Sequence, residues 1–293
     1  MARADRMLEK CLGKNKLQTW STAGTLYQVL MDKERTLKLK KTIKGTVRKG
    51  DVVVDIGTGS GILACFAIEA KAKFVYAIEM DPSNYRAASI VIQNNGMEDV
   101  IELIHADALE VKLPKKVDVV MCELMSTALL DEPQIRLMNH AIKFLKKNGK
   151  IIPRRAVTFI EYVTTKYDFY GLKLRIPQYE WEWIPSLSRE LSEKKVLFET
   201  DFSKMNEENI HCSGKLKITR NGIMNGIRLS TKTYLTDNVV HESSMGFCPR
   251  VVIPTKDEMP VNAGQCIRFD LAFKAGYGYS EIQLDISKPP QKA

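Results

Sequence analysis

Val52-Val53-Val54-Asp55-Ile56-Gly57-Thr58-Gly59-Ser60-Gly61-Ile62-Leu63 is the stretch on which the fold turns. Three β-branched residues read as a buried parallel strand. Three glycines follow at alternate positions, and then an apolar run, Ile62 to Ala72, with helical spacing. Strand, glycine turn, helix is the geometry that lets backbone come close to a nucleotide-like cofactor. Asp55 closes the strand two residues before the first glycine. A second strand-like run, Phe74 to Ile78, ends in Glu79, about where a carboxylate holds a ribose diol.

The spacing separates two cofactors. A dinucleotide fingerprint puts its third glycine three residues after the second, and Ile62 stands there. Asp-x-Gly-x-Gly-x-Gly instead resembles the first motif of S-adenosylmethionine (SAM) methyltransferases. That resemblance implies SAM as cofactor, with Asp55, Gly57, Thr58, Gly59, Gly61 and Glu79 in its binding set. The alternative is a glycine-rich turn with no ligand. An acid at each of two strand ends is hard to explain by packing alone.

Working outward, strand and helix alternate from Asp51. Strands are predicted at Val52 to Val54, Phe74 to Ile78, Ile101 to Ile104 and Val117 to Met121. A helix opens at Pro82 and ends near Asn95-Gly96. Another opens at Pro133, where a missing N–H costs nothing, and Asn148-Gly149 is predicted to cap its end. This grammar means a parallel, doubly wound sheet. Before it, Thr22 or Thr25 is read as the cap of one helix carrying Leu26, Val29, Leu30 and Leu37 and ending at Gly45. Residues 32 to 36 fall on that helix, where a mixed-charge surface is the plain reading. Residues 1 to 20 are polar and basic.

After Pro153 the grammar changes. Residues 178 to 195 form a polar connection with Trp181 and Trp183. Leu216 and Ile218 alternate with polar residues before Asn221-Gly222, a hairpin signal, and Ile227 and Leu229 resume beyond it. Ile267 to Phe273 and Ile282 to Ile286 alternate in the same way. The second half is read as an antiparallel sandwich or barrel, with Pro289 to Ala293 as a loose tail.

Composition sets limits. The 293 residues carry 44% hydrophobic and 27% charged side chains, as a folded domain or two require. No run of eighteen apolar residues suggests a membrane span, and the first residues show no secretory pattern. Six cysteines without a Cys-x-x-Cys pair argue against a metal site or disulfide framework, and suit a reducing cytoplasm. A net charge of +9 permits a nucleic-acid or acidic partner without requiring one.

The second chemical feature follows strand four. Glu123 stands at that strand's carboxyl end, and Glu132 nine residues on. The loop there faces the ligand crevice of an open α/β sheet. Two carboxylates suit a planar cation such as guanidinium. They fix its plane by bidentate hydrogen bonds and localise charge away from the attacking nitrogen. For Glu132, followed by Pro133, the alternative is a helix-end acid that favours the macrodipole.

With these residues in place the chain resembles the protein arginine methyltransferases over nearly its whole length. The resemblance implies an N-terminal helical segment (1–44), a Rossmann-like SAM-binding domain (45–153) and an antiparallel β-barrel substrate domain (154–293). It implies catalytic roles for Glu123 and Glu132. Arg35, in Arg35-Thr36, would bind the SAM carboxylate, Glu79 the ribose, and Asp107 with Ala108 the adenine. Asn148 to Pro153 matches the join to the barrel. Three features depart from the pattern. Gly246-Phe247-Cys248 stand where the family has Thr-His-Trp, so no proton relay through Asp32 is expected. Leu124 replaces an aromatic, and the arm used for dimerisation looks shortened between Tyr167 and Val196, which leaves the dimer open. The expected function is methyl transfer from SAM to a cationic nitrogen of a protein or small substrate, with protein arginine first. The alternatives are a small-molecule methyltransferase on the same scaffold, and a non-catalytic SAM-binding or RNA-associated protein.

Overall fold

The computed structural model describes residues 23–287. The readings of residues 1 to 20, of Thr22 and of the tail at Pro289 to Ala293 lie outside it. Two helices open the described chain, α1 (Ala23–Met31) and α2 (Lys33–Thr46), where one was expected. The break is Asp32, whose Oδ1 accepts the N–H of Arg35 at 3.0 Å and so caps α2. Thr25 lies within α1 and not at a cap position, and α2 runs through Gly45. Arg35, Leu39, Thr42 and Ile43 form its buried face at helical spacing, while Leu37 points outward.

Five parallel strands follow, in the order β3-β2-β1-β4-β5. They are β1 (Val52–Ile56), β2 (Phe74–Glu79), β3 (Ile101–His105), β4 (Val117–Cys122) and β5 (Leu145–Ile152). Between them run α3 (Ile62–Glu69), α4 (Pro82–Asn94) and α5 (Gln134–Ala141). Alternation sorts the strand residues to two faces. Val53, Val75, Ala77, Val119 and Met121 pack with Leu39 and Ile43 of α2 and with α3. Val54, Ile56, Ile78, Val120 and Cys122 pack with Ile135 and Met138 of α5, and with Phe202, Phe247 and Cys248 from the second half. That second contact seats the barrel against the sheet.

Two local signals were overridden. Asn148-Gly149 does not cap α5, which ends at Ala141 before a short turn. Both residues lie in β5, where pairing jumps from Val117–Leu145 to Val119–Lys150. Gly149 is needed in that irregular stretch because a Cβ there would sit 2.5 Å from Leu145 Cδ1 and 2.9 Å from the Asp118 carbonyl. Asn221-Gly222 does not close a hairpin either. The strand before it, β12 (Asn209–Lys217), pairs in another sheet from the strand after it, β13 (Gly222–Tyr234).

The second half is antiparallel throughout, starting at β6 (Arg155–Thr164). β6, β13 and β15 (Arg250–Val261) are the middle of a seven-stranded curled sheet. Its other members are β9 (Gln178–Glu180), β10 (Arg189–Glu190), β11 (Lys195–Asp201) and β14 (Val240–His241). β12, β16 (Cys266–Lys274) and β17 (Gln283–Ser287) form a three-stranded sheet across from it. Tyr162, Ile227 and Leu229 of the larger sheet meet Leu216, Ile267 and Leu271 of the smaller in one core. Between Tyr167 and Val196 the arm carries a two-stranded ribbon, β7 (Asp168–Phe169) with β8 (Leu172–Lys173). No helix among the described residues is long and apolar enough to cross a membrane.

Candidate active site

Four parts of the fold close on a cavity of about 360 Å³. They are the glycine turn after β1, the two N-terminal helices (Leu26, Gln28 and Val29 of α1 with Arg35 of α2), the loop from Glu123 to Glu132 after β4, and barrel residues Tyr179, Trp181 and Gly246 to Pro249. The parallel strands all point their carboxyl ends here, where an open α/β sheet binds its ligand.

Gly57, Gly59 and Gly61 have φ of +68°, +57° and +79°, a region closed to most side chains. A Cβ on Gly59 would meet Leu26 Cδ2 at 3.0 Å, and one on Gly57 would meet Leu124 at 3.1 Å. The turn is tied down from beneath. The Thr58 hydroxyl donates to Asp55 at 2.6 Å, and the Gly59 N–H donates to Glu79 Oε2 at 2.9 Å. Asp55 is fully buried, which pushes its pKa up to about 6 against the pull of the Thr58 bond. Glu79 is also raised by burial, offset by N–H bonds from Asp81 and Gly59.

The sequence-predicted residues therefore divide. Arg35, Gly57, Thr58, Gly59, Glu123 and Glu132 line one cavity. Asp55, Gly61, Glu79, Asp107 and Ala108 do not. Asp55 holds the turn, and Gly61 lies against Ala88 of α4. β3 pairs His105 with Glu79, which brings the Asp107 loop next to β2. Ala108 is buried in the core there, and Asp107 Oδ1 caps its own loop through the Leu109 N–H.

Arg35 is buried and forms an ion pair with Glu123. Burial lowers its pKa to about 10, still well above neutrality. Its Nε is a buried donor with no hydrogen-bond partner among the described residues. Glu132 has no hydrogen bond to its side chain among the described residues. Burial, with the neighbouring Asp131 charge, pushes its pKa up to about 7. Asp131 also lines the cavity, and the Tyr179 hydroxyl reaches both of its oxygens at 3.0 Å. Burial raises the Asp131 pKa as well, opposed by that bond.

The loop's shape is built, not slack. Gln134 donates to the Cys122 carbonyl at 2.8 Å and accepts the Leu124 N–H at 2.9 Å, which fixes the chain on both sides of Glu123. The Ser126 hydroxyl accepts the N–H groups of Asp131 and Glu132 at 3.0 and 3.3 Å. Ala128 and Leu129 take left-handed φ of +55° and +57°, and the Ala128 N–H donates to Thr231 of β13. The barrel thus clamps the loop that carries both glutamates.

Asp32 corrects the reading of the first helix and of the relay. It is buried, not part of a solvated surface. The Ser244 hydroxyl donates to its Oδ2 at 2.6 Å and the Gly246 N–H at 2.8 Å. Ser244 is in turn 3.0 Å from His241 Nε2. Because the Ser244 proton goes to Asp32, His241 Nε2 is the donor to Ser244. The Phe247 ring lies 4.7 Å from that of His241. A histidine therefore reaches Asp32 after all, through one serine, from β14.

Sequence reasoning missed Asp131, Tyr179, Trp181, Ser244 and His241. Asp131 could have been found by counting every acid in the loop. Trp181 alternates with Trp183, and the two rings stack 5.0 Å apart, a pair unusual in a polar connection. Ser244 and His241 carry no local signal at all.

The chain is similar to known proteins in sequence and in fold. The family model described as ribosomal protein L11 methyltransferase (PrmA) matches residues 36–154. An uncharacterized protein of Methanocaldococcus jannaschii is 36% identical over 264 residues, 89% of this chain and 95% of that one. The histone-arginine methyltransferase CARMER of Drosophila persimilis is 38% identical over 127 residues, 43% of this chain but 24% of that longer protein. Among solved structures, the Trypanosoma brucei PRMT1 enzyme-prozyme heterotetrameric complex with AdoHcy superposes with a TM-score of 0.78. It covers 94% of this chain and 96% of that one at 19% identity, a likeness of fold.

Proposed function

The chain belongs to the family of the Methanocaldococcus jannaschii protein and is an arginine-methyltransferase-like, SAM-dependent methyltransferase; from that premise we propose a cationic nitrogen as its acceptor, with protein arginine the leading case. One observation carries the proposal. Glu123, Asp131 and Glu132 line the same cavity as the glycine turn, against a single guanidinium, Arg35. Such an excess of carboxylate favours a positively charged guest.

SAM supplies an activated methyl group on a sulfonium. The residues for holding it fit: a turn without Cβ atoms at Gly57 and Gly59 and an unpartnered Arg35 Nε for a carboxylate, with Glu79, outside the cavity lining and bonded to the Gly59 N–H, the acid that would reach the ribose. Arg35 would serve the cofactor, and Glu123 and Glu132 the acceptor. Each glutamate accepts N–H bonds from one edge of a guanidinium and orients it for in-line displacement. Methylation of a guanidinium releases one proton. Glu132, with a pKa of about 7, can take that proton at neutral pH.

The test is to incubate the protein with labelled SAM and a cell lysate, hydrolyse the labelled protein, and separate the amino acids. Label in methylarginine supports the proposal. Label confined to small metabolites or to nucleic acid overturns arginine as the acceptor.

A further inference from the structure

A second cavity, of about 520 Å³, opens beside the first and shares Trp181 with it. One strand serves both. Tyr179 of β9 lines the first and Glu180 the second, as successive residues on opposite faces must. On the far wall Arg250 follows directly after Pro249 of the first cavity, and Ser230, Thr231 and Lys232 of β13 complete the surface.

Its chemistry differs from the acidic first cavity. Lys194, Lys232 and Arg250 stand with Glu180, Glu182 and Glu242. Most of these charges have partners. Lys232 pairs with Glu242 at 2.8 Å and Arg250 with Glu180 at 3.1 Å. Behind them, buried Arg228 binds Glu161 at 3.0 Å and Glu190 at 2.6 Å. Glu182 lies at the exposed rim. Lys194 is different. Its ammonium lies 4.9 Å over the Phe159 ring, with no carboxylate in ion-pair range among the described residues. Ser230 also lines the cavity, is 9% exposed, and its hydroxyl has no hydrogen-bond partner among the described residues. A buried hydroxyl left unbonded costs free energy that a ligand acceptor recovers.

We propose that this second cavity binds a carboxylate side chain of the polypeptide substrate, close in sequence to the methylated residue, with Lys194 as its counter-ion and Ser230 as a hydrogen-bond donor. The inference rests on the reading of the acceptor as a residue in a polypeptide. It deepens that reading into a specificity: a cationic residue for the first cavity, an acidic neighbour for the second. Trp181, common to both walls, would pack against the chain between them.

Two synthetic peptides test it, each with one central arginine, flanked on both sides by glutamates in one and by glutamines in the other. Binding is measured by calorimetry with S-adenosylhomocysteine present, so that no turnover is needed. The glutamate peptide should bind wild type about tenfold tighter or more, as one charge-assisted contact allows. The difference should vanish in Lys194→Met and shrink in Ser230→Ala. Equal affinities in wild type, absence of binding by both peptides, or a preference that survives Lys194→Met would overturn the proposal. A glutamate peptide that binds with the expected preference but is never methylated supports the cavity and removes arginine transfer instead.

Discussion

The Arg35 guanidinium and the Glu123 carboxylate pair with each other, their side chains only 9% and 7% exposed. On the proposed reading one serves the cofactor and the other the acceptor, and in this structure each neutralises the other. Arg35→Ala removes the only cation among the described residues that line the cavity and should weaken SAM binding by roughly tenfold or more, from the 1.5–3 kcal/mol of a charge-assisted bond. It also leaves Glu123 buried and unpaired, at a cost of about 3–5 kcal/mol in stability. Glu123→Gln should do the reverse. SAM affinity stays level or improves as Arg35 is released, while methyl transfer falls by about a hundredfold or more. Calorimetry and a single-turnover assay on both variants check the split.

Glu132 should set the pH profile. Its carboxyl is raised to about 7, so it is half ionised near neutrality, and the form that grips a cation and accepts a proton grows as pH rises. The rate at low substrate should climb through about pH 7, and Glu132→Gln should flatten that limb as well as lower it. The linked effect on folding has the opposite sign. The folded state holds this proton more tightly than the unfolded chain, so Glu132 costs stability as pH rises from about 4.5 to 7. Glu132→Gln should therefore raise the melting temperature most at pH 8 and least at pH 4. A variant no more stable at either end would show that Glu132 is an ordinary helix-end acid.

The parts of the site legible in the sequence share a physical reason. Gly57 and Glu123 follow strands whose ends are fixed by the parallel sheet, so local pattern already places them in one crevice, while Glu79, at the end of β2, holds the turn from outside the cavity lining. Arg35 needed the resemblance, since a helix arginine has a common surface explanation, and Glu132 stood open between a paired carboxylate and a helix-end acid. Tyr179, Ser244 and His241 could not be read. They arrive from barrel strands far along the chain, and their position depends on which strands pair. The strongest local turn signal misled for the same cause. Asn221-Gly222 favours a tight turn, yet β12 finds its partner in β16 and β13 finds its partners in β6 and β15.

Gly59 is the glycine most exposed to test. Its φ of +57° and the 3.0 Å from a built Cβ to Leu26 Cδ2 mean that any side chain is strained and must push the Leu26 side chain aside. Gly59→Val should abolish SAM binding by calorimetry. Gly45→Ala is the control, because a Cβ there meets nothing within 4 Å in the middle of a helix turn. It should bind SAM as wild type does and gain about 0.4–1 kcal/mol in stability. SAM binding retained in Gly59→Val would mean that the glycine turn is not what the cofactor touches.

The Asp32–Ser244–His241 chain separates structure from proton transfer. Burial pushes the Asp32 pKa up, but bonds from Ser244, the Arg35 N–H and the Gly246 N–H outweigh it, and the net shift is downward. Its stabilising contribution is present above about pH 4 and lost below. His241 faces Lys38, Glu34, Asp32 and Arg35. Burial first, then the Lys38 charge, depress its pKa to about 4, so it is neutral in the folded protein at pH 7. Between about 6.5 and 4 the unfolded chain binds a proton that the folded chain refuses, so this residue withdraws about 3 kcal/mol of stability as pH falls through that window. Asp55 and Glu132, both raised, act in the opposite sense there, so wild type alone cannot show the effect. His241→Asn keeps a donor for Ser244 and has no titration, and its denaturant midpoint should fall less than that of wild type from pH 7 to 4.5. Because the bonds from Ser244 and Gly246 to Asp32 hold the Gly246–Pro249 stretch against the cavity, Asp32→Asn should slow methyl transfer about tenfold or more, as loss of positioning does. His241→Asn, with that tie intact, should keep turnover within about threefold of wild type, since a histidine neutral at pH 7 contributes no charge to the chain. If His241→Asn instead loses as much rate as Asp32→Asn while SAM still binds, the chain of three is carrying a proton and not only a loop.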